Sequence, residues 1–300
     1  MKRVLIVGSN GLLGQKVTDL FSRSKNYEIL NASVEDKPFF KMNEFLYRHL
    51  DITHRNSAMK LVDDFLPEVI INTAAITNVD LCETERALAW KVNVVGVENL
   101  VHAARMVGAK IIHFSTDYVF DGKSGPYGEN DRVNPMSYYG RTKLASENVL
   151  RTSEIHHTII RTMILYGIGK QIKENFALWL VNNLKENKQV RVVDDQIGNP
   201  TLVDDLAFAV LKVVEFDKNG LYHIAGNDLV SRYDFAIALA KKFKFDKNLI
   251  IPIKTAILKQ PAPRPMKSGF IILKAETELS IKMSGVEQGL TIFQNQLSHI

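Results

Sequence analysis

The stretch RVLIVGSNGLLGQKVTDLFSRS, residues 3–24, decides the fold of this chain. Residues 4–7 form a short, wholly apolar run, which predicts a strand buried on both faces of a sheet. Residues 11–24 repeat apolar side chains at helical spacing and so predict an amphipathic helix. A buried strand followed by a turn and a helix is the beginning of a βαβ unit.

The turn between this strand and this helix carries Gly8, Gly11 and Gly14 in the spacing G-x-x-G-x-x-G. Glycine permits a tight turn at the first position, close approach of a pyrophosphate at the second and close helix–strand packing at the third. The helix N-terminus offers free N–H groups and a partial positive charge to an anion. We therefore predict that the turn binds the pyrophosphate of a dinucleotide; the alternative is a purely structural turn.

The alternation of short apolar runs and helical patterns continues through the first half of the chain. Further strands are predicted at 27–32, 68–75, 110–116 and 158–165, and further helices at 54–65, 85–108 and 137–150. Alternating strands and helices indicate a parallel sheet with helices on both faces. The predicted fold class is α/β, a doubly wound parallel sheet of the Rossmann type.

The second half is less regular and predicts a smaller lobe. Helices are expected near 173–187, from about 203 and at 231–244, strands at 189–195 and 220–226, a proline-rich loop at 259–265 and an amphipathic stretch at 284–297. We assign residues 1–165 and roughly 194–225 to the dinucleotide-binding domain. Residues 166–193 and 226–300, again roughly, are assigned to a C-terminal substrate-binding lobe.

The composition excludes several classes of protein. The 300 residues are 46% hydrophobic, enough for a full core, and the net charge of +5 comes from scattered residues without a basic run that would suggest nucleic acid. Cys82 is the only cysteine, so an intrachain disulfide and a cysteine zinc site are excluded. The eight histidines show no metal-binding spacing, and we predict no metal.

The same sequence carries no sign of a membrane or an export route. No run approaches the ~20 apolar residues that span a bilayer. The apolar run at 4–7 is too short for a signal peptide and no cleavage site follows it. We therefore expect a cytoplasmic protein.

The segment NPMSYYGRTK, residues 134–143, suggests catalysis. Tyr139 and Lys143 are four residues apart, so they share one face of the predicted helix, whereas Tyr138 points elsewhere and is expected to serve packing or the substrate lobe. An ammonium near a tyrosine favours the tyrosinate and lowers its pKa. Tyr139 can then give its proton to a carbonyl oxygen while hydride reaches the carbon. The alternative is an amphipathic helix with aromatic residues in its first turn.

Hydroxyl groups stand at the end of the preceding strand, in FSTDYVF. Ser115, Thr116 and Asp117 are predicted at its carboxyl end, where ligands bind in doubly wound sheets. A hydroxyl there can hydrogen-bond the same carbonyl oxygen. Together with Tyr139 and Lys143 it forms a set suited to oxidation or reduction.

The choice between the two nicotinamide cofactors depends on the end of the second strand. A carboxylate there would bind the ribose 2′-hydroxyl of NAD and repel a 2′-phosphate. The strand instead runs into Asn31, Ala32 and Ser33, which favours NADPH over NADH, with Arg55 and Lys37 as candidate phosphate partners. Glu35 and Asp36 would reverse this preference if the strand ended later.

Two further segments match places where a cofactor would lie. Asp51 and Ile52 come before the second helix, where Asp51 could also be an ordinary helix cap. Ala74 and Ala75 follow the third strand, and their small side chains leave room for a ligand at its carboxyl end.

Longer motifs resemble one family. The glycine spacing resembles the extended short-chain dehydrogenases/reductases. The strings STDYVFDG (115–122), NPMSYYGRTKLASE (134–147), IIRTMILYG (159–167), DDQIGNPTLVDDLA (194–207) and PAPRPMKSGF (261–270) are similar to those of the dTDP-4-dehydrorhamnose reductase family, in the family's order. The likeness covers nearly the whole chain.

The resemblance implies NAD(P)H-dependent reduction of a nucleotide-linked 4-keto-6-deoxy sugar by a possible homodimer. It implies catalytic Thr116, Tyr139 and Lys143. It also implies a cofactor site of Gly8, Asn10, Gly11, Leu12, Leu13, Gly14, Asp51, Ile52, Ala74, Ala75, Thr77, Asn93, Tyr139 and Lys143. Thr116, Asp117, Tyr118 and Ile164 are the implied substrate contacts. Arg264 is a further candidate on different grounds, because it flanks prolines in the predicted substrate lobe and could meet a diphosphate.

The chain departs from the family at Ile164, where the family often has a tryptophan that contacts the substrate. The family's Glu-rich metal site between subunits has no clear counterpart. Two other activities stay open at this stage. One is a nucleotide-sugar epimerase, and the other is a dinucleotide-binding regulatory subunit like that of methionine adenosyltransferase, which also resembles this family.

Overall fold

The computed structural model describes residues 1–40 and 46–298 and has a seven-stranded sheet at its centre. In spatial order the strands are β11 (Gly220–His223), β6 (His157–Thr162), β5 (Lys110–Thr116), β4 (Val69–Asn72), β1 (Lys2–Val7), β2 (Tyr27–Ser33) and β3 (Tyr47–His49). Every neighbouring pair is parallel. The predicted doubly wound parallel sheet is therefore confirmed.

The chain reverses its direction of travel across the sheet after β3. From β1 it moves outward to β2 and β3 on one side, and then crosses to β4, β5, β6 and β11 on the other. The carboxyl ends of β1 and β4 thus flank the point where the strand order reverses. Ligands of doubly wound sheets bind outside the strand ends at this point.

Helices cover both faces of the sheet because each presents an apolar stripe to it. Their bounds are α1 Leu12–Ser22, α2 Arg55–Phe65, α5 Gly96–Val107, α6 Tyr138–Arg151 and α8 Val203–Glu215. The short helices α3 (Val79–Thr84) and α4 (Arg86–Trp90) pack instead in a small cluster with Tyr139. One core lies between the sheet and α1 and α8, and a second lies between the sheet and α2 and α5.

The second half of the chain adds further helices and small strands and a third hydrophobic core. The helices are α7 (Phe176–Lys185), α9 (Arg232–Phe243), α10 (Leu273–Leu279) and α11 (Val286–Leu297). The small strands are β7 (Leu165–Tyr166), β8 (Val190–Val193), β9 (Ile197–Gly198), β10 (Thr201–Leu202), β12 (Val230–Ser231) and β13 (Ile250–Ile253). Helices α7, α9 and α11 pack around β8 in this third core. The exact division of the chain into two lobes stays a prediction.

Several local features differ from the sequence prediction. The helix expected at 85–108 is α4, a π-helical turn at Lys91–Val95, and α5. Strand β6 ends at Thr162 rather than at residue 165, because Ile164 takes a left-handed backbone with φ of 47°. The short strands β3 and β13 and the short helices α3 and α10 were not predicted. Each is too short for a periodic pattern to be visible.

Candidate active site

A cavity lies at the carboxyl ends of β1, β2 and β4, where the strand order reverses. Its wall is formed by Val7, Gly8, Gly11, Ser33, Val34, Glu35, Leu50, Asp51, Ile52, Thr53, Thr73, Ala74, Ala75, Ile76, Leu88, Lys91 and Val92. The predicted cofactor residues Gly8, Gly11, Asp51, Ile52, Ala74 and Ala75 are all in this wall. Thr77 is exposed and is not in it.

The glycine turn brings β1 and β4 together at the floor of this cavity. Gly8 has a φ of +79°, and a Cβ there would lie 2.6 Å from the backbone nitrogen of Ala74. A Cβ on Gly14 would lie 2.4 Å from the carbonyl oxygen of Gly8, so only glycine lets α1 pack this closely. Gly11 is the N-cap of α1 and no side chain caps the helix. The first-turn N–H groups of α1 are therefore available to an anion.

Three other predicted cofactor residues have different surroundings. Leu13 is buried in the core beneath α1, and Leu12 packs against that core. Only their backbone N–H groups, in the first turn of α1, are suitably placed to approach a pyrophosphate. Asn10 is buried, and its side-chain amide donates to Glu35 Oε2 at 3.0 Å and to the Tyr47 hydroxyl at 3.1 Å. Asn10 thus ties the glycine turn to the segment after β2.

Asp51 and Ile52 are positioned by the turn before α2. The carboxylate of Asp51 accepts from the backbone N–H of Thr53 at 2.9 Å. Partial burial alone would raise the pKa of Asp51, but this hydrogen bond, with His54 and Lys91 nearby, leaves it lowered. Ile52 presents its carbonyl to the side chain of Asn99 at 2.9 Å, which anchors the turn on α5.

The three predicted catalytic residues meet at the start of α6 and the end of β5. Ser137 caps α6 by accepting from the N–H of Gly140 at 3.1 Å, and Tyr139 and Lys143 follow on the buried face of the helix. Thr116 is the last residue of β5, and its hydroxyl donates to Asp117 Oδ1 at 3.0 Å. Tyr118, in the turn that follows, packs edge-on against Tyr139 with ring centroids 5.6 Å apart.

The acidity of Tyr139 differs from the sequence expectation. Burial raises the pKa of Tyr139 above its usual value, while the neighbouring Thr116 hydroxyl opposes the rise. The expected lowering by Lys143 does not occur, because desolvation of the phenolate dominates. Tyr139 is therefore protonated at neutral pH and has a proton to donate. Tyr138 lies outside this site, with its ring beneath Arg86.

Lys143 is the other buried ionisable group of the set. Burial lowers its pKa to about 8, against the opposing effects of Glu147 and Cys82. Its Nζ lies 3.3 Å from Nε2 of His113, which is also 2.9 Å from the Ser146 hydroxyl. Sequence reasoning missed His113. Because alternate side chains of a strand share a face, the sequence could have placed His113 on the same face of β5 as Ser115. No sequence motif includes His113, so nothing indicated a role for it.

Asn93 supports the site from the π-helical turn. Its side chain accepts from the N–H of Ile76 at 2.8 Å and donates to the carbonyl of Ile76 at 3.0 Å. It also donates to the Thr142 hydroxyl at 3.1 Å, which joins this turn to α6. Asn93, implied above as a cofactor-site residue, therefore fixes one wall of the dinucleotide cavity relative to helix α6.

A second cavity lies beyond Tyr118, beside β9 and the start of α9. It is lined by Asp117, Tyr118, Ile164, Gln196, Ile197, Arg232, Pro265 and Ser268. Three of the predicted substrate contacts, Asp117, Tyr118 and Ile164, are thus together. Asp117 accepts from the Ser268 hydroxyl at 2.5 Å, and burial raises the pKa of its carboxyl despite this bond.

Arg232 is a residue of this second cavity that sequence reasoning missed. Its guanidinium lies over the ring of Phe176, 5.0 Å from the ring centroid. It forms no ion pair among the residues the structure describes, although Asp117 and Tyr118 act on it electrostatically. Burial lowers its pKa from the ordinary value. An unpaired, largely desolvated cation of this kind is suited to an anionic group of a ligand.

Arg264 was predicted as a substrate contact, but its guanidinium is engaged by protein groups. Its NH1 and NH2 donate to the two carboxylate oxygens of Asp80 at 2.6 and 2.7 Å. NH1 also donates to the carbonyl of Ala262 at 2.6 Å. The pair ties the proline-rich segment to α3, close to Tyr118. A role of Arg264 toward substrate stays a prediction.

Tyr139 is in the described lining of neither cavity, but it packs beside residues of both. It packs in one buried cluster with Ile76, which lines the dinucleotide cavity, and with Tyr118, which lines the second cavity. The cluster around Tyr139 therefore borders both cavities. Over residues 1–40 and 46–298 no group of three metal-ligating side chains occurs, and no helix is long and apolar enough to cross a membrane.

The fold and these two cavities define the class: the chain is an extended short-chain dehydrogenase/reductase. A model of the family described as the RmlD substrate binding domain matches residues 1–298, and the chain belongs to this family. The resemblance inferred from the motifs is thereby confirmed.

Relatives and solved structures support this assignment. The chain is 35% identical over 302 residues to the dTDP-4-dehydrorhamnose reductase of Aggregatibacter actinomycetemcomitans, with 97% of each chain covered. It is 32% identical over 258 residues to methionine adenosyltransferase 2 subunit beta of Xenopus tropicalis, covering 84% of this chain and 75% of that protein. The structure of a dTDP-4-dehydrorhamnose reductase from Clostridium acetobutylicum matches with a TM-score of 0.89 at 35% identity, over 99% of both chains. That of the Bacillus anthracis dTDP-4-dehydrorhamnose reductase in complex with NADP matches with a TM-score of 0.84 at 31% identity, over 99% of this chain and 100% of the other.

Proposed function

We propose that this chain is an NAD(P)H-dependent reductase of a nucleotide-linked 4-keto-6-deoxy sugar, converting dTDP-4-dehydro-L-rhamnose to dTDP-L-rhamnose. The observation that carries the proposal is the burial of Tyr139, beside Thr116, in a cluster that contains one lining residue of each cavity, Ile76 and Tyr118. The names of the relatives support the same substrate.

The dinucleotide cavity suits its ligand chemically. The uncapped N-terminus of α1 would receive the pyrophosphate, and Asp51 with Ile52 would lie against the adenosine half. When bound, NAD(P)H supplies the hydride. Ile76, held at both its N–H and its carbonyl by Asn93, keeps the wall nearest Tyr139 rigid.

Tyr139 would act as the proton donor to the sugar carbonyl oxygen. Its raised pKa keeps it protonated at neutral pH, so the proton is present before reaction. Negative charge develops on the carbonyl oxygen as hydride reaches the carbon. Lys143 in its ammonium form and the Thr116 hydroxyl would stabilise the charge where it forms, first on that oxygen and then on the tyrosinate.

The second cavity would hold the nucleotide sugar. Tyr118, Asp117 and Ile164 surround the expected position of the sugar, and Arg232 offers its free guanidinium to the diphosphate. Arg264 would reach a phosphate only by leaving Asp80. Ile164 has a positive φ, which is unfavourable for a β-branched side chain, and such strain often marks a binding site.

The similarity to methionine adenosyltransferase 2 subunit beta favours one other function, a regulatory subunit that binds a dinucleotide without turnover. The intact set of Thr116, Tyr139 and Lys143 supports the enzyme, although it does not by itself require catalysis. We also propose a cytoplasmic location, because the single thiol of Cys82 suits a reducing compartment. We further propose that the chain forms a homodimer and has no nucleic-acid partner.

The experiment is consumption of NADH or NADPH by the purified chain with dTDP-4-dehydro-L-rhamnose. We expect one NADH or NADPH to be oxidised for each dTDP-L-rhamnose formed. The Tyr139→Phe variant should bind the cofactor but should not reduce the sugar. A chain that binds cofactor, leaves this sugar unreduced and co-purifies with a larger enzyme would support the regulatory subunit instead. Light scattering of the purified chain measures the oligomeric state.

A further inference from the structure

Strand β2 runs one residue further than the sequence predicted, and this changes which groups meet the cofactor. The strand ends at Ser33, and Ser33, Val34 and Glu35 all line the dinucleotide cavity. Ala32 is fixed to the glycine turn because its carbonyl accepts from the N–H of Gly8 at 2.8 Å. The chain after β2 is thus held against the pyrophosphate-binding turn, where the adenosine ribose of a dinucleotide lies in this fold.

The carboxylate of Glu35 is held in place by hydrogen bonds from two directions. Its Oε2 accepts from the Ser33 hydroxyl at 2.6 Å and from the Asn10 amide at 3.0 Å. The backbone carbonyl of Glu35 also accepts from the Tyr47 hydroxyl at 2.7 Å. Among the described residues no hydrogen bond occupies Oε1, which can accept from a hydroxyl group of a ligand. Partial burial would raise the pKa of Glu35, but the bonds from Ser33 and Asn10 leave it lowered, so the group is an anion at neutral pH.

The charges of the cavity wall disfavour a phosphate at this corner. The described part of the wall contains the carboxylates Glu35 and Asp51 and a single cation, Lys91. Lys91 acts electrostatically on Asp51. Arg55 and Lys37, the candidate phosphate partners, are not in the described wall. His49 acts on Glu35 but is itself exposed and lies 3.5 Å from Asp36.

We infer that Glu35 makes this chain select NADH over NADPH, an inference that rests on the proposed cofactor-dependent function. Oε1 accepts from the adenosine ribose hydroxyls of NADH, and the same carboxylate repels the 2′-phosphate of NADPH. The Bacillus anthracis relative was solved with NADP, so this selectivity would be a property of the present chain. Asn10 acts here as a positioning residue, because it holds the carboxylate through the glycine turn.

The test is equilibrium binding of NADH and NADPH to the purified chain without sugar, by titration calorimetry. NADH should bind at least about tenfold more tightly than NADPH, as expected for a carboxylate facing a phosphate. Glu35→Gln should narrow this ratio, chiefly by strengthening NADPH binding. The matched control is Asp36→Asn, which removes a neighbouring negative charge whose side chain is 94% exposed and should leave the ratio unchanged.

Two results would overturn the inference while leaving the reductase intact. One is equal or tighter binding of NADPH by the unmodified chain, and the other is a ratio that Glu35→Gln does not change although the variant keeps the wild-type melting temperature. If Glu35→Gln fails to fold, the affinities of 5′-AMP and 2′,5′-ADP for the unmodified chain are compared instead. Each is measured by its competition with bound NADH. Tighter 5′-AMP supports the inference and tighter 2′,5′-ADP contradicts it. If neither NADH nor NADPH binds, the proposed function itself fails.

Discussion

His113 and Lys143 face each other inside the protein, with Nε2 and Nζ 3.3 Å apart and both side chains almost fully buried. Asn72 fixes the imidazole tautomer. Its Oδ1 accepts from the N–H of Ala74, so its Nδ2 must donate to Nδ1 of His113 at 3.2 Å. Burial holds the pKa of His113 well below its usual range, so the ring is neutral and carries its proton on Nε2. That N–H points toward Ser146 and Lys143 and disfavours an ammonium at Lys143.

Replacing His113 should therefore change the titration of Lys143. His113→Phe keeps the bulk and the apolar surroundings but removes the Nε2–H, so the pKa of Lys143 should rise. The alkaline limb of the pH profile of kcat/KM reports this group in the free enzyme. The limb should move to higher pH in His113→Phe, and the variant should lose about 1–3 kcal/mol of stability, because Asn72 loses a partner. A limb that stays in place would show that His113 is only a packing residue.

The lowered pKa of Lys143 predicts a pH-dependent stability. The value of about 8 in the folded protein lies below the ordinary 10.5, so unfolding takes up a proton between these two values. The free energy of unfolding should therefore rise with pH through that window, by up to about 3 kcal/mol. Urea unfolding should show stability rising more steeply with pH in the unmodified chain than in Lys143→Met. Burial raises the pKa of Cys82 to about 11, which opposes the rise in both, so the difference between the two slopes measures Lys143. The exposed Lys185→Met is the control and should keep the rise.

Glu147 supports the active site through a buried ion pair. Its carboxylate, fully buried, accepts from Nε and NH2 of Arg161 at 2.8 and 2.7 Å and from the Ser115 hydroxyl at 2.6 Å. Glu147→Gln leaves Arg161 buried without a counter-charge, which costs about 3–5 kcal/mol. Thermal and urea unfolding measure the loss. Asp64→Asn, which breaks the exposed pair with Lys60, should change stability by less than about 1 kcal/mol. Equal effects at the two sites would contradict the role given to Glu147.

Arg232 should affect the sugar nucleotide and not the dinucleotide. Arg232→Gln removes the cation of the second cavity, so KM for the nucleotide sugar should rise by about tenfold or more, as for loss of a charge-assisted hydrogen bond. The Kd for NADH should stay unchanged because Arg232 is absent from the described wall of that cavity. Lys241→Gln, on the same helix, is the control. A change in Kd for NADH with unchanged KM for the sugar would reverse the assignment of the two cavities.

The sequence predicted those parts of the site that depend on local spacing. Tyr139 and Lys143 share a face because they are four residues apart in one helix, and Thr116 follows from the end of a buried strand. The glycine turn, with Asp51 and Ala74, follows from the order of strands and helices. These relationships need only secondary structure.

Relationships between distant segments were not predictable in the same way. Arg264 pairs with Asp80, which is 184 residues away in the sequence, and no local sequence pattern predicts that pair. Arg232 is the first residue of α9, and nothing in the sequence of that helix indicates a cavity. The inferred role of Glu35 in cofactor selectivity depends on where strand β2 ends. The hydrophobic pattern of a sequence does not locate the end of a strand to within one residue.

The most direct measurement of the central claim is the rate of NADH oxidation with dTDP-4-dehydro-L-rhamnose, compared between the unmodified chain and Tyr139→Phe, with cofactor affinity measured on both. We predict turnover by the unmodified chain, loss of at least about a hundredfold in kcat for Tyr139→Phe, as expected for removal of a general acid, and equal Kd values for NADH. Turnover by Tyr139→Phe at most of the original rate would contradict the proposed mechanism.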